Sequence, residues 1–183
     1  MVDTHTSLKE NTMLVNLSDE DSDEPCTVRV IDVPGHEKLR YQLHHFTPIA
    51  RAIVFVIDAA RLSKDIRDTA AYLYDVLSDR HLIEREVPIL LACHKSDLAT
   101  AYAPARCRSM LEAEIDRIRV TRTAAVDSQL DDATATDRYL GYEGEPFKFD
   151  HLPQPIDELA CSSRQAADEG LAGVRAWMAN VLE

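Results

Sequence analysis

The chain has 183 residues, 45% of them hydrophobic and 28% charged, and these proportions predict one folded domain over residues 1–183. Its 20 basic and 32 acidic residues give a net charge of −12, which argues against direct binding of nucleic acid through clustered Lys and Arg. The five glycines leave no G-x-x-x-x-G-K-[S/T] and no G-x-G-x-x-G segment, so neither of these phosphate-cradling loops occurs in the sequence.

The N-terminal part of the chain predicts a β-hairpin followed by a buried strand. Asn11–Leu17 and Cys26–Ile31 have strand composition, and the acidic segment 18–25 between them predicts a solvated hairpin loop. Ala52–Ile57 is β-branched and apolar throughout, which predicts a strand buried on both faces.

Helices and further strands then alternate along the chain. Apolar residues at helical spacing predict helices within 64–78, from Pro104 to Ile118, and from Leu171 to Val181. Val87–Cys93 and Ile156–Cys161 predict strands between them. This order predicts an α/β fold with a mainly parallel sheet and helices on both faces. Residues 120–150 are polar with little periodicity and predict a surface insertion.

Neither a metal site nor a membrane segment is indicated by the cysteines or the apolar runs. The four cysteines lack C-x-x-C spacing, so we expect free thiols (Cys26, Cys93, Cys107 and Cys161). The apolar runs are far shorter than the roughly 20 residues that span a bilayer. The N-terminus also lacks the basic and apolar regions of a signal peptide. The sequence therefore predicts a soluble chain that faces the cytosol.

Short polar motifs follow three of the predicted strands, where an open parallel sheet binds its ligands. Asp32 and Gly35 form a D-x-x-G, Lys95 and Asp97 form a K-x-D, and Ser162 follows the last strand. Asp32 lies 65 residues before Asp97, and Asp97 lies 65 residues before Ser162. Each motif alone is explained better by an ordinary turn. Together, in this order and after strands, they resemble the guanine-nucleotide site of small GTPases.

That resemblance assigns each motif a role with a physical reason. Asp32 would hold Mg²⁺ through water, and the amide of Gly35 would reach the γ-phosphate of GTP because no side chain blocks it. Asp97 would accept hydrogen bonds from guanine N1–H and the 2-amino group, and the stem of Lys95 would lie over the base. Two further contacts complete the site: the hydroxyl of Thr6 on Mg²⁺, and the amides around Ser162 and Ser163 on guanine O6.

Longer segments resemble the beta subunit of the signal recognition particle receptor. They are DVPGHEKLR, ARAIVFVIDAA, ILLACHKSD, LEAEIDRIRVTRTAA and FKFDHLP, and they extend the similarity from about Thr4 to the C-terminus. This resemblance implies a GTP-binding subunit on the cytosolic face of the endoplasmic reticulum membrane, which anchors the receptor's alpha subunit during co-translational targeting. It also implies that the membrane is reached only through an N-terminal segment that this sequence does not contain.

Three features of the sequence bear on activity within this resemblance. The phosphate-binding loop is absent, and His94 stands where the family pattern has the base-recognising Asn, so we expect weakened nucleotide binding. His36 occupies the position that orients the attacking water in many small GTPases, and an exposed loop histidine explains it equally well. Two alternatives therefore stay open: an interaction module that binds no nucleotide, and a trafficking GTPase of the ADP-ribosylation factor or Rab kind.

Overall fold

The computed structural model describes residues 10–17, 27–126, 139–164 and 170–182. In chain order, the strands and α-helices within these ranges are β1 (Asn11–Asn16), β2 (Thr27–Asp32), β3 (Ile53–Asp58), α1 (Leu62–Leu77), α2 (Arg80–Glu84), β4 (Ile89–His94), α3 (Pro104–Val126), β5 (Ile156–Ala160) and α4 (Ala172–Leu182). Three 3-10 helices complete the description: Glu37–His45, Thr47–Ile49 and Phe149–His151. The predicted acidic loop 18–25 and Thr6 lie outside the described residues.

The strands form two hydrogen-bonded sheets. β3, β4 and β5 are parallel and in that order, with Ile53 opposite Ile89 and Ile89 opposite Ile156. β1 and β2 form the predicted antiparallel hairpin, which pairs Asn11 with Asp32. Within the described ranges no backbone ladder joins β2 to β3. Because β3, β4 and β5 run in the same direction, the loops that follow them meet at one edge of their sheet.

Helices cover both faces of the three-stranded sheet, as the sequence predicts. On one face, alternate strand residues such as Phe55 and Leu91 pack with the apolar sides of α1 and α3. On the other face, Trp177 of α4 packs with Leu90 and Ala92 of β4. The indole N–H of Trp177 donates to Asp157 Oδ2 at 2.7 Å, which fixes α4 to β5.

β3 differs from the prediction of a strand buried on both faces. Phe55 and Ile57 point into the core, whereas Val56 between them is 64% exposed. The cluster on the α4 side of the sheet includes Val54 but not Val56, so α4 covers the start of β3 and leaves its end open. An all-apolar strand shows no alternation in its sequence, and the exposed face could not be predicted from it.

Residues 120–150 also differ from the predicted surface insertion. The first part, up to Val126, continues α3, and 127–138 lie outside the described residues. The last part packs into the core, because Leu140, Phe147 and Phe149 are each at most 2% exposed. These three side chains thus anchor the segment 140–149 in the core, whereas residues 142–146 between them are exposed.

Polar side chains of α3 hold that segment in place. The guanidinium of Arg119 is 3% exposed and donates to the carbonyl oxygens of Leu140 and Tyr142, each at 3.1 Å, and also to that of Glu145. Asp116 pairs with Arg119 at 2.6 Å and accepts from the amide of Phe147 at 2.8 Å. One turn of α3 therefore supplies hydrogen-bond partners for three carbonyl oxygens and one amide of this segment.

Candidate functional site

The loop after β4 is braced by the loop after β5. The hydroxyl of Ser162, which is 1% exposed, donates to Asp97 Oδ1 at 2.6 Å. This hydrogen bond is the main reason why the pKa of Asp97 is held below its ordinary 3.8. Ser96 adds two donors, its amide at 3.1 Å and its hydroxyl at 3.0 Å, both to the carbonyl oxygen of Cys161. The exposed carboxylate of Asp97 is thus oriented without any ligand.

The same loop is braced on its other side by the turn after β3. The carbonyl oxygen of His94 accepts from the amide of Ala59 at 3.0 Å. Lys95 has a φ of 64°, in the left-handed region that residues other than glycine rarely adopt, and its ammonium lies 2.7 Å from Asp58 Oδ2. Loops from three neighbouring strands therefore form one hydrogen-bonded unit that exposes Lys95 and Asp97.

This unit fits one edge and one face of a guanine base. The Asp97 carboxylate can accept from two parallel donors, a pattern that guanine presents and adenine lacks. The aliphatic stem of Lys95 offers an apolar surface for the base plane. His94 is half-buried, and its imidazole can form fewer hydrogen bonds than the amide of an asparagine.

Of the two serines predicted to bind O6 through their amides, one is already engaged. The amide of Ser162 donates to the carbonyl oxygen of Gly170 at 3.0 Å. The hydroxyl of Ser162 also accepts from the amide of Arg164 at 3.2 Å, so this residue shapes the loop. Ser163 is exposed, which makes its amide the better candidate for a base contact.

The D-x-x-G loop follows β2, in the other sheet. Asp32 is exposed at the end of that strand, and Gly35 is exposed with no atom of the described residues within 4 Å of the position that a Cβ would take. The carbonyl oxygen of Gly35 accepts from Arg40 Nε at 3.3 Å. His36 is exposed, and its Nδ1 accepts from the amide of Lys38 at 3.2 Å, which caps the following 3-10 helix. Its predicted catalytic role stays a prediction.

The residues predicted for phosphate and Mg²⁺ form a less complete group than those predicted for the base. Among the described residues no cluster of three or more His, Cys, Asp or Glu is arranged to hold a metal ion. Asp32 and Gly35 are the described residues predicted for this half of the site, and Thr6 lies outside the described ranges. The residues that the structure describes therefore fit a guanine base, and they do not by themselves form a magnesium site.

Three buried thiols lie close to the loops that follow β4 and β5, which we call the base loops. None of the three forms a disulfide bond. Cys93 precedes His94, and Cys161 precedes Ser162. Cys93 Sγ lies 3.9 Å from the carbonyl oxygen of Leu91, and Cys107 Sγ lies 3.7 Å from that of Tyr102. The interaction with the neighbouring thiol of Cys107, together with burial, raises the pKa of Cys93, and the same interaction outweighs burial and lowers the pKa of Cys107. Burial also raises the pKa of Cys161. Their burial makes them core side chains.

Two residues of this region were not predicted from the sequence. Asp58 directly follows the apolar strand β3, so the search for polar residues after strand ends could have found it. Arg40 gives no such signal, because its partners Asp68 and Tyr72 lie on α1, distant in sequence. Its guanidinium lies 3.7 Å from the Asp68 carboxylate and 4.7 Å from the centre of the Tyr72 ring.

Comparison with known proteins places this arrangement in a family. A family profile described as "Signal recognition particle receptor beta subunit" matches residues 1–156. The chain belongs to that family. The signal recognition particle receptor subunit beta of Mus musculus is 35% identical over 184 aligned residues, covering 98% of this chain and 67% of the mouse protein. The chain thus spans about two thirds of the length of its mammalian relatives.

Solved structures agree with this assignment. The mammalian SRP receptor structure matches with a TM-score of 0.82 and 31% identity, covering 98% of this chain and 86% of that one. The SRb-GDP-Mg structure from Chaetomium thermophilum matches with a TM-score of 0.66 and 27% identity, covering 82% and 78%. The small GTPase Arl6 from Trypanosoma brucei, 17% identical with a TM-score of 0.56 over 97% of this chain and 84% of that one, shares the fold. The predicted small-GTPase-like α/β fold is confirmed.

None of the helices in the described ranges combines the length and apolar character needed to cross a membrane.

Proposed function

We propose that this chain is a GTP-binding regulatory subunit of the signal recognition particle receptor. It anchors the alpha subunit at the cytosolic face of the endoplasmic reticulum membrane for co-translational protein targeting. The observation that carries the proposal is the exposed Asp97 carboxylate, which Ser162 holds beside Lys95 and which can accept the paired donors of a guanine base. Family membership and the GDP and Mg²⁺ in the related Chaetomium structure support it.

In this proposal the predicted residues divide the nucleotide between them. Lys95, Asp97 and the amide of Ser163 bind the base, the amide of Gly35 binds the γ-phosphate, and Asp32 with Thr6 holds Mg²⁺. His36 orients the attacking water in the slow hydrolysis of GTP. The structure supports the base contacts most directly, because their loops are already ordered by hydrogen bonds.

Nucleotide binding is tested with a fluorescent GTP analogue and unlabelled competitors. We expect saturable binding that GTP and GDP displace, that ITP displaces less well because inosine lacks the 2-amino group, and that ATP does not displace. Asp97→Ala should abolish this preference. Asp65→Ala, which removes an exposed carboxylate paired with Arg61 on α1, serves as the matched control. Absence of saturable binding, or equal competition by ATP, would reject the proposal.

Partner binding is tested at Gly35, because a methyl group there meets no atom among the residues that the structure describes. Gly35→Ala should therefore keep the fold, measured by circular dichroism and thermal melting, and should weaken capture of the alpha subunit in the presence of GTP. The added methyl group would crowd the γ-phosphate contact and the loop around it. Unchanged capture by a folded variant would remove this loop from the interface.

The second candidate is an interaction module that binds the alpha subunit without nucleotide. The observation that favours it is His94, whose imidazole can form fewer hydrogen bonds to a base than the asparagine of the family pattern. Capture of the alpha subunit by nucleotide-depleted protein, undiminished by EDTA and unchanged by added GTP, would support this candidate over the first.

A further inference from the structure

Asp58 connects the end of β3 to the loop after β4 through its two carboxylate oxygens. Oδ1 accepts from the amides of Ala60 and Arg61 at 3.1 and 3.2 Å, which fixes the carboxylate against its own turn. Oδ2 lies 2.7 Å from the ammonium of Lys95, 37 residues further along the chain. The carboxylate is thus held by the turn, and Lys95 is held by the carboxylate.

The backbone of Lys95 is fixed independently of its side chain. The carbonyl oxygen of Lys95 accepts from the amide of Leu98 at 3.1 Å, and the next residue, Ser96, donates to Cys161. With φ at 64°, the Cα–Cβ bond of Lys95 leaves the loop in a direction set by these bonds. The remaining freedom lies in the four-carbon stem, and the contact with Asp58 restrains it at the far end.

The carboxylate of Asp58 is held in its charged form at neutral pH. Burial alone would raise the pKa of Asp58, but the hydrogen bond and the charge of Lys95, together with the two turn amides, outweigh burial and lower it. The side chains are 31% and 47% exposed, so the pair remains open to a ligand along the lysine stem.

We propose that Asp58 is a positioning residue that draws the Lys95 ammonium to the side and lays the lysine stem along the face of the guanine base. The inference rests on the proposed nucleotide-binding function. Ordering the stem before the ligand arrives removes an entropic cost from binding. Because the contact concerns the base and not the phosphates, GDP and GTP should benefit from it equally.

The test is a double-mutant cycle with fluorescent GDP and GTP analogues. Asp58→Asn keeps an oxygen for the turn amides and removes the charge, whereas Lys95→Met keeps an apolar stem and removes the ammonium. We expect Asp58→Asn to weaken both analogues by the same factor, about two- to five-fold, the range for a partly exposed ion pair. In the Lys95→Met background the same substitution should have no further effect. Additive effects of the two substitutions would overturn the inference.

Two further measurements distinguish failure of the Asp58 inference from failure of the proposed nucleotide binding. Glu84→Gln, which removes an exposed pair with Arg80 at 2.6 Å, should leave binding unchanged and controls for loss of charge. Without nucleotide, acetylation of Lys95 followed by mass spectrometry should be faster in Asp58→Asn than in the wild type. An unchanged rate would show that the pair does not hold Lys95. Failure of the wild-type chain to bind either analogue would overturn the proposed function and this inference with it, whereas binding with an additive cycle would overturn the inference alone.

Discussion

Arg119 is the side chain whose removal should reveal the structural role of the segment 140–149. Its guanidinium is 3% exposed, pairs with Asp116 and donates to backbone carbonyl oxygens of the segment. Arg119→Ala removes the donor to these carbonyl oxygens and the charge partner of Asp116, which keeps the amide of Phe147 as a donor. We therefore expect the segment to loosen and the whole domain to lose stability.

The expected loss of stability follows from the burial of the Arg119–Asp116 ion pair. Removing one partner of a buried ion pair costs about 3–5 kcal/mol, and we expect about 3 kcal/mol because the Asp116 side chain is 37% exposed and can be partly hydrated. In a domain of this size that loss lowers the melting temperature by about 6–12 °C. Arg119→Lys should recover little, since a single ammonium cannot reach acceptors spread along the segment.

Arg117 supplies the matched control two residues earlier on the same helix. Its side chain is 77% exposed and pairs at 2.9 Å with Glu114, which is 9% exposed and keeps Arg67 as a second basic partner at 3.8 Å. Arg117→Ala should therefore cost about 1 kcal/mol, less than Arg119→Ala. The assay is urea unfolding of both variants, with hydrogen exchange of the amides in 140–149 as the local measurement. Equal destabilisation by the two substitutions, or unchanged exchange in Arg119→Ala, would refute the assignment of this segment to the core.

Two further predictions concern the thiols and acid stability. Three thiols should resist Ellman's reagent in the native protein and react once guanidinium unfolds it, as peptide mapping would show: Cys93, Cys107 and Cys161. Rapid reaction of any of them in the native state would contradict their burial. Because the pKa of Asp97 lies below its ordinary 3.8 in the folded chain, its contribution to stability is complete above about pH 4 and is lost as the pH falls through the folded value. The difference in melting temperature between wild type and Ser162→Ala should narrow below that pH, and a constant difference down to pH 2 would show that the Ser162 contact does not act through the Asp97 charge.

The elements whose apolar residues repeat at a regular spacing could be predicted from the sequence. Helical spacing predicts α1, α3 and α4, because each buries one apolar side against a sheet. The rule that ligands bind at the carboxyl ends of parallel strands also predicts which loops come together, and the structure joins Asp97 to Ser162 across 65 residues.

Features that depend on distant partners could not be predicted in this way. Phe147 and Phe149 lie in a stretch of surface composition, and they are buried because Asp116 and Glu112 on α3 accept the hydrogen bonds of their amides. Nothing in the local sequence indicates that carboxylates of a helix would accept the hydrogen bonds of these amides. The Asp58–Lys95 pair has the same character, since each residue alone is typical of an ordinary turn.

The two halves of the candidate site are held by different means, and this difference bears on how the chain would respond to a ligand. The base loops follow neighbouring strands of one sheet and are cross-linked by hydrogen bonds, so they are organised before any ligand binds. The D-x-x-G loop follows β2, and within the described ranges the sheet of β2 has no ladder to β3. Arg40 links that loop to α1: it donates to the carbonyl oxygen of Gly35, and on α1 it contacts the Asp68 carboxylate at 3.7 Å and the Tyr72 ring at 4.7 Å. Arg40 lies on a 3-10 helix, whose hydrogen bonds are weaker than those of an α-helix. Ligand-dependent movement should therefore concentrate in the segment that contains Gly35 and Arg40, while Lys95 and Asp97 keep their positions.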